Sequence, residues 1–122
     1  MKVFNKDIGT YGEELAENYL INLGYTILNK NFRCKCGEID LIAKHKDYIC
    51  FIEVKTRYGT NYGIPAESVT TYKQRKIYKT AQFYILQKHT TDSSFRFDVT
   101  EVLLNRDNND FSVNHIEDAF QL

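Results

Sequence analysis

The chain has few of the features that mark membrane, secreted or disulfide-bonded proteins. It has no apolar run close to the length of a membrane span, and residues 1–14 lack the apolar stretch of a signal peptide. Its three cysteines are too few and odd in number for a disulfide framework, and their spacing does not suit a four-ligand zinc site. These absences predict a cytoplasmic protein that contacts no membrane and binds no zinc.

The chain also has no net charge, because its 16 Lys and Arg residues equal its 16 Asp and Glu residues in number. The charge is unevenly spread: residues 1–90 carry a net +5 and residues 91–122 a net −5. Nucleic-acid-binding proteins usually show a local basic patch, so the neutral average neither supports nor excludes such a partner. The 122 residues, 43% of them hydrophobic, predict one globular domain over residues 1–122.

Residues 37–57 contain charged side chains in two segments that otherwise resemble buried strands. These charged residues are Glu38, Asp40, Glu53 and Lys55. Strand side chains alternate between faces, so Glu38 shares a face with Asp40, and Glu53 with Lys55. The polar residues 44–48 predict a hairpin turn that brings Asp40 close to Glu53. Buried carboxylates need a cation, and a hard divalent ion such as Mg²⁺ would serve with Lys55; the alternative is a solvated surface salt-bridge cluster.

Residues 7–23 predict an amphipathic helix that ends at Gly24. The predicted buried stripe consists of Ile8, Tyr11, Gly12, Leu15, Ala16, Tyr19, Leu20 and Leu23. Glu13 falls at the rim of this stripe, where it can lean toward whatever the helix covers, whereas Glu14 should face water. The alternative role for Glu13 is to complement the helix dipole from the first turns.

A second helix is predicted from a capping box at residues 71–74 through about Lys88. Its first half contains the densest basic patch of the chain, which is either a solvated face or a set of phosphate contacts. Strands are predicted at residues 25–33, 95–104 and 111–116, and a loop at residues 58–68. With the hairpin, the order is helix, three strands, helix, two strands, which predicts a mixed sheet flanked by helices.

Six short motifs then suggest a relationship to known proteins. They are G-x-x-G-E at residues 9–13, N-x-R at 31–33, G-E-I-D-L at 37–41, E-V-K-T-R at 53–57, Lys73 with Gln74, and R-F-D-V at 96–99. In this order and spacing they resemble the YraN-type family of small bacterial proteins over residues 9–120. That family is similar to the restriction-endonuclease-like, PD-(D/E)xK superfamily, particularly the archaeal Holliday-junction resolvases. The resemblance implies an αβββαβ core around a mixed central sheet.

The resemblance also implies a metal-dependent nuclease acting on DNA, with branched or structured DNA among its candidate substrates. The implied metal ligands are Asp40, Glu53 and Glu13, which would hold one or two Mg²⁺ or Mn²⁺ ions and act in catalysis together with Lys55. Glu38 would support these residues from outside the ligand set. The expected nucleic-acid contacts are Lys73, Gln74, Arg75, Lys76 and Arg57.

Two alternatives to catalysis stay open at this point. The chain could be a nucleic-acid-binding module that kept the fold without the chemistry, or a protein-interaction adaptor that uses its acidic C-terminal part. Cutting two strands would favour a symmetric homodimer. Cys34 and Cys36 stand where many relatives have plain polar residues, so an additional redox or metal role there is also open.

Overall fold

The computed structural model describes residues 5–59, 69–89 and 93–121. Two helices and five strands follow in the predicted order. They are α1 (Asn5–Asn22), β1 (Thr26–Cys34), β2 (Gly37–His45), β3 (Tyr48–Tyr58), α2 (Thr71–Lys88), β4 (Ser94–Leu104) and β5 (Phe111–Ile116). Most of the predicted loop at 58–68 lies outside the described residues. Within the described part of the chain, neither helix is apolar enough over a sufficient length to cross a membrane.

The five strands form one mixed sheet in chain order. β1, β2 and β3 pair antiparallel, as do β4 and β5, whereas β3 and β4 are parallel. A parallel pair cannot be closed by a tight turn, and α2 provides the longer connection. This is the predicted αβββαβ core with β5 added at one edge.

The alternation of side chains along β3 divides the core between the two helices. Phe51 packs with α2 residues such as Ile77, whereas its neighbour Ile52 packs with α1 residues such as Leu20. Each of these four side chains is almost completely buried. The two helices therefore cover opposite faces of the sheet, and β3 lies buried between them.

The buried face of α1 is narrower than the sequence predicted. Gly12, Ala16 and Leu20 are buried, but Tyr19 and Leu23 of the predicted stripe are exposed. The small residues at positions 12 and 16 let the helix approach the sheet closely, so the fully buried residues follow every fourth position, and Ile8, Tyr11 and Leu15 beside them are partly buried. As predicted, the helix stops at Gly24, whose φ of 97° suits glycine.

The predicted capping box at the start of α2 is wrong by one residue. Thr70 is the N-cap, and its Oγ1 accepts a hydrogen bond of 3.2 Å from the backbone N–H of Lys73. Thr70 has the extended backbone that is typical of an N-cap, so its side-chain hydroxyl can accept a hydrogen bond from an amide of the first helical turn. Gln74 instead uses its side-chain Nε2 to donate to the carbonyl of Val69, at 2.9 Å. The helix ends at Lys88, as predicted.

Candidate active site

The regular alternation along β2 breaks at Asp40. Ile39 belongs to the core under α2 and Leu41 to the core under α1, although residues two apart in a regular strand share a face. The partner strand is irregular at the same point, where Asn31 of β1 has a φ of 53°. Asp40 Oδ2 accepts a hydrogen bond of 2.8 Å from the backbone N–H of Val54 on β3. The break thus fixes the Asp40 carboxyl against the strand that carries Glu53.

Glu13 reaches this region because α1 packs unusually close to β3. A Cβ atom added at Gly12 would lie 2.8 Å from Cγ2 of Thr56 and closer still to its hydroxyl, so only glycine fits here without a shift. Glu13 is half-buried as a result. The side-chain amide of Asn31, turned so that its nitrogen faces the two acids, donates to Glu13 and Glu38 at 3.2 Å each. The predicted lean of Glu13 toward the sheet is therefore observed.

Glu53 is the most deeply buried carboxylate of this group, with 6% of its side chain exposed. Two ammonium groups approach the same oxygen, Oε2. Lys55 Nζ lies 3.5 Å away on the same strand, and Lys73 of α2 is in direct contact. The predicted pairing of Glu53 with Lys55 is present, and the pairing with Lys73 was not predicted.

These residues surround a recess of about 220 Å³ beneath the first turns of α2, which we call the acidic recess. Its walls are formed by Gly37, Glu38, Asp40, Glu53, Lys73, Lys76 and Ile77. Asp40 and Glu53 come from neighbouring strands, as the hairpin predicted, and Lys73 and Lys76 come from the helix above. The acidic recess thus has three carboxylates from the sheet, those of Glu38, Asp40 and Glu53, facing two lysines of α2.

The pKa values of the acids reflect their burial and their proximity. Burial and the charge of Glu53 together raise the pKa of Asp40 to about 8, against the opposing effect of the Val54 hydrogen bond. Burial also raises the pKa of Glu13; the Asn31 hydrogen bond lowers it, and the charges of Glu38 and Glu53 raise it. Burial and the mutual repulsion of these acids therefore disfavour the ionised forms of Asp40 and Glu13.

The pKa values of Lys55 and Lys73 shift in opposite directions. Burial lowers the pKa of Lys55, and the neighbouring ammonium of Lys73 lowers it further despite the attraction of Glu53. For Lys73, burial lowers the pKa, but the hydrogen bond to Glu53 together with the charges of Glu53 and Asp40 outweighs it and the net shift is upward. By distance, the nearer partner of Glu53 is the lysine from the helix.

The other residues expected to contact nucleic acid lie around this centre. Arg57 Nε pairs with the buried Glu101 at 3.0 Å, and Lys76 Nζ lies 5.2 Å from the ring centroid of Tyr72. Arg75 is exposed, and the Gln74 amide nitrogen is bound to the α2 cap. The structure brings Lys73 and Lys76 into the acidic recess and leaves Arg75 on the outer surface of the helix.

Glu38 lies at the outer edge of the cluster. It pairs with Arg33 at 3.2 Å, and 39% of its side chain is exposed. Asn31, which links it to Glu13, is a residue that the sequence reasoning gave no role. Its only signal was its place in the N-x-R motif, because nothing local reveals a left-handed asparagine between two acids from distant segments.

The donor set can be tested for its fit to a metal ion. Among residues 5–59, 69–89 and 93–121, no three Asp, Glu, His or Cys side chains form a preformed ligand cluster. Mg²⁺ commonly takes one or two carboxylates and completes its shell with waters and substrate phosphates, so Asp40 and Glu53 suffice as protein ligands of that kind. The raised pKa of Asp40 also fits, because a divalent cation would favour the ionised carboxylate that burial disfavours.

A second cluster of buried charge lies on the sheet face that α1 covers, where Arg96 and Asp98 stand opposite Cys50 and Ile52 of β3. Arg96 donates to Asp98 through Nε at 2.9 Å and through Nη2 at 3.0 Å, and Nη2 also donates to the hydroxyl of Tyr25 at 2.8 Å. We call this cluster the Asp98 network.

The Asp98 network extends to β5 and the residues beyond it. His115 bridges Asp98 Oδ2, at 3.1 Å from Nε2, and the hydroxyl of Thr100, at 2.7 Å from Nδ1. The backbone N–H of Asp118 donates to Asp98 Oδ1 at 2.9 Å. Burial alone would raise the pKa of Asp98, but the bonds from His115, Arg96 and Asp118 outweigh it and lower the pKa. Every carboxylate oxygen here has a donor, which is typical of a structural network.

Fold and site together define a mixed α/β protein with an αβββαβ core and an acidic, lysine-bearing recess between α2 and the central hairpin, with Glu13 of α1 close to Asp40 and Glu53. The family model described as "Uncharacterised protein family UPF0102" matches residues 12–102. The chain belongs to this family, the YraN family, as the motifs predicted.

Individual relatives match over almost their whole length. A UPF0102 protein of Clostridium kluyveri is 57% identical over 122 residues, which is 100% of both chains. A UPF0102 protein of Clostridium novyi (strain NT) is 55% identical over 117 residues, covering 96% of this chain and 98% of the relative. A third, from Clostridium botulinum (strain Loch Maree), is 58% identical over 123 residues and 100% of both chains. These names state the family and no activity.

Proposed function

We propose that the protein is a metal-dependent nuclease that hydrolyses phosphodiester bonds in DNA, with branched and otherwise structured DNA as the first substrates to test. The observation that supports this most directly is the meeting of Asp40, Glu53 and Lys55 from two strands with Glu13 from α1. Such a set combines oxygen ligands for a hard cation with an ammonium group at the same point.

In this proposal, Asp40 and Glu53 would hold Mg²⁺ or Mn²⁺, and Glu13 would contact the ion directly or through water. The bound ion would polarise a phosphoryl oxygen and lower the pKa of a water molecule. Lys55, held beside Glu53, would position the attacking water and offset the negative charge that develops on the phosphate. Lys73, Arg75, Lys76, Gln74 and Arg57 would contact flanking phosphates, which is a role that depends on salt concentration.

The test is a cleavage assay with Mn²⁺ on four-way junction, flap, single-stranded and duplex DNA. We expect Asp40→Asn and Lys55→Ala to lower the rate at least about a hundredfold, because each removes a group that acts on the reacting phosphate. Asp40→Asn keeps an oxygen that can accept from Val54. Equal residual cleavage by the wild type and both variants would reveal a contaminating nuclease, and the proposal would be abandoned.

A matched pair on α1 controls for nonspecific charge effects. Glu13→Gln removes the half-buried acid next to Asn31, and Glu14→Gln removes its exposed neighbour. We expect only the first to slow cleavage. Equal losses in both variants would mean that the helix contributes general charge or stability and no ligand, which would remove Glu13 from the proposed site.

One observation favours a second candidate, a protein that binds nucleic acid without cutting it. Glu53 already has two ammonium partners, so the buried charge is partly satisfied without a metal. Salt-dependent DNA binding, combined with no Mg²⁺ binding at millimolar concentration, would support this candidate over the nuclease. A cytoplasmic location and a symmetric homodimer, which would bring two sites to two strands, stay predictions under either function.

A further inference from the structure

We propose that Lys73 is a displaceable counter-ion of the acidic recess: its ammonium occupies Glu53 until a divalent cation binds, and then leaves Glu53 to contact a substrate phosphate. The inference rests on the proposed function, since it assigns a second role to the same site. It differs from the sequence expectation, in which Lys73 only grips phosphate.

The crowding on one carboxylate oxygen supports this step. Lys73 contacts Glu53 Oε2, the atom that Lys55 Nζ also approaches at 3.5 Å. A divalent cation bound to Glu53 would place two further positive charges beside these ammonium groups. Coulomb repulsion grows as distance and dielectric fall, and the Glu53 side chain is only 6% exposed. At least one of the lysines must therefore move away when the cation binds.

Lys73 is the lysine that can move. Its side chain is 43% exposed and enters the acidic recess from the rim, on a flexible four-carbon stem. Lys55 is 28% exposed and stands two residues from Glu53 on the buried strand β3, so its backbone keeps it near the carboxylate. Displacement of Lys73 also leaves Lys55 in the position that the proposed chemistry needs.

The location of Lys73 in the helix gives a separate argument. A cation in the first turn of a helix is opposed by the positive end of the helix dipole, and the first turn of α2 has no acidic residue. The contact with Glu53 offsets this cost in the absence of metal. Once Lys73 leaves Glu53, its charge and the first amides of an 18-residue helix lie at the same place, which suits a phosphate group.

If Lys73 competes with the cation, removing its charge should tighten cation binding. We expect Lys73→Gln to bind Mn²⁺ at least about fivefold more tightly than the wild type, within the usual range of coupling between two sites. Lys76→Gln is the matched control, because Lys76 lines the same recess from the next turn but pairs with the Tyr72 ring and not with Glu53. We expect the Mn²⁺ affinity of Lys76→Gln to rise by less than about twofold, because this variant removes an exposed charge of the recess but no contact with Glu53.

The measurement is an electron paramagnetic resonance titration of free Mn²⁺ against the full chain without nucleic acid, with circular dichroism to confirm the fold of each variant. Asp40→Asn serves as the ligand control and should lose binding. In a parallel experiment on the wild type, Mg²⁺ should shift the side-chain Nζ resonance of Lys73 in the nuclear magnetic resonance spectrum and leave that of Lys76 in place.

The outcomes separate this inference from the proposed function. Equal Mn²⁺ affinity in wild type and Lys73→Gln, with loss in Asp40→Asn, would overturn the counter-ion role and leave the metal site in place. Equal tightening in Lys73→Gln and Lys76→Gln would also overturn it, since general charge would then explain the effect. No binding by either the wild type or Lys73→Gln would refute the metal site itself and the counter-ion role with it.

Discussion

The Asp98 network and the acidic recess both place carboxylates among buried residues of the same sheet, yet their charges are balanced in opposite ways. Asp98 receives bonds on both oxygens from Arg96, His115 and the backbone of Asp118, and its pKa is lowered. Asp40 receives one backbone bond and stands next to further acids, and its pKa is raised to about 8.

The opposite pKa shifts of Asp98 and Asp40 distinguish a carboxylate with a structural role from one with a functional role. A buried carboxylate with all its donors stabilises the fold by ordering the segments that supply them. A buried carboxylate whose ionised form is disfavoured by burial and by neighbouring acids destabilises the fold above its pKa, and such groups are typical of functional sites. If this distinction is right, substitutions in the two regions should change stability in opposite directions.

The largest effect is expected from Asp98→Ala, which leaves the buried guanidinium of Arg96 without its main partner. We expect the free energy of unfolding to fall by about 3–5 kcal/mol, the usual cost of breaking a buried ion pair on one side. Urea unfolding followed by circular dichroism measures it. Asp107→Ala, in the exposed turn before β5, is the matched control and should stay within about 0.5 kcal/mol. A loss below about 1 kcal/mol would contradict a structural role for the network.

The Asp98 network could not be predicted from the sequence because its members are far apart in the chain. Tyr25 and Arg96 are separated by 71 residues, and His115 reaches Asp98 only through the pairing of β4 with β5. The sequence did predict the strands involved, since their apolar alternation is a local signal. Which polar side chains meet across a sheet depends on the register, which local signals do not specify.

The acidic recess was more predictable, for a local reason. Asp40, Glu53 and Lys55 belong to one hairpin with a short turn, so their approach follows from strand geometry. The break in alternation at Asp40 was not predictable, because it depends on the left-handed backbone of Asn31 on another strand. The contact of Lys73 with Glu53 was missed because the docking of α2 over the hairpin is tertiary.

The second largest change in the free energy of unfolding is expected at Gly12, where α1 packs closely against β3. Gly12→Ala should lower the free energy of unfolding by about 1–3 kcal/mol, because the new methyl group would overlap the Thr56 side chain. Gly9→Ala is the matched control in the same helix, where nothing lies within 4 Å of the added atom. It should gain up to about 1 kcal/mol from better helix propensity. Thermal unfolding of both variants distinguishes them, and equal changes would refute the close approach.

A smaller change in the free energy of unfolding, and one of opposite sign, is expected for Asp40→Asn. The pKa of Asp40 is raised from about 3.9 in the unfolded chain to about 8, so the folded protein binds more protons between these values. Stability should therefore fall as pH rises from about 4 to 8 in the presence of a chelator. Asp40→Asn should remove this part of the slope and stabilise the protein by about 1–2 kcal/mol above pH 8.

The measurement for Asp40 is urea unfolding from about pH 2 to 9, with Asp98→Asn as the contrasting variant. Because the pKa of Asp98 is lowered, its contribution is present above about pH 3.9 and is lost as pH falls through its folded value. Asp98→Asn should therefore change the acid limb and leave the slope between pH 4 and 8 as it is. Identical profiles for wild type and Asp40→Asn would show that burial does not raise the Asp40 pKa as described.

The smallest effects should come from an exposed carboxylate paired with an arginine at the edge of each region. Glu117 pairs with Arg96 at 3.1 Å with 55% of its side chain exposed, and Glu38 pairs with Arg33 at 3.2 Å with 39% exposed. Glu117→Gln should cost about 0–1 kcal/mol, because it removes an attractive but solvated partner. Glu38→Gln loses a similar exposed pair but also removes a charge that raises the pKa of Glu13, so we expect no loss or a slight gain. Urea unfolding measures the change in the free energy of unfolding for both variants. In high salt, screening should reduce both changes toward zero, because both ion pairs are exposed. If Glu38→Gln were instead the more destabilising of the two, the repulsion between Glu38 and Glu13 would not outweigh the exposed pair of Glu38 with Arg33.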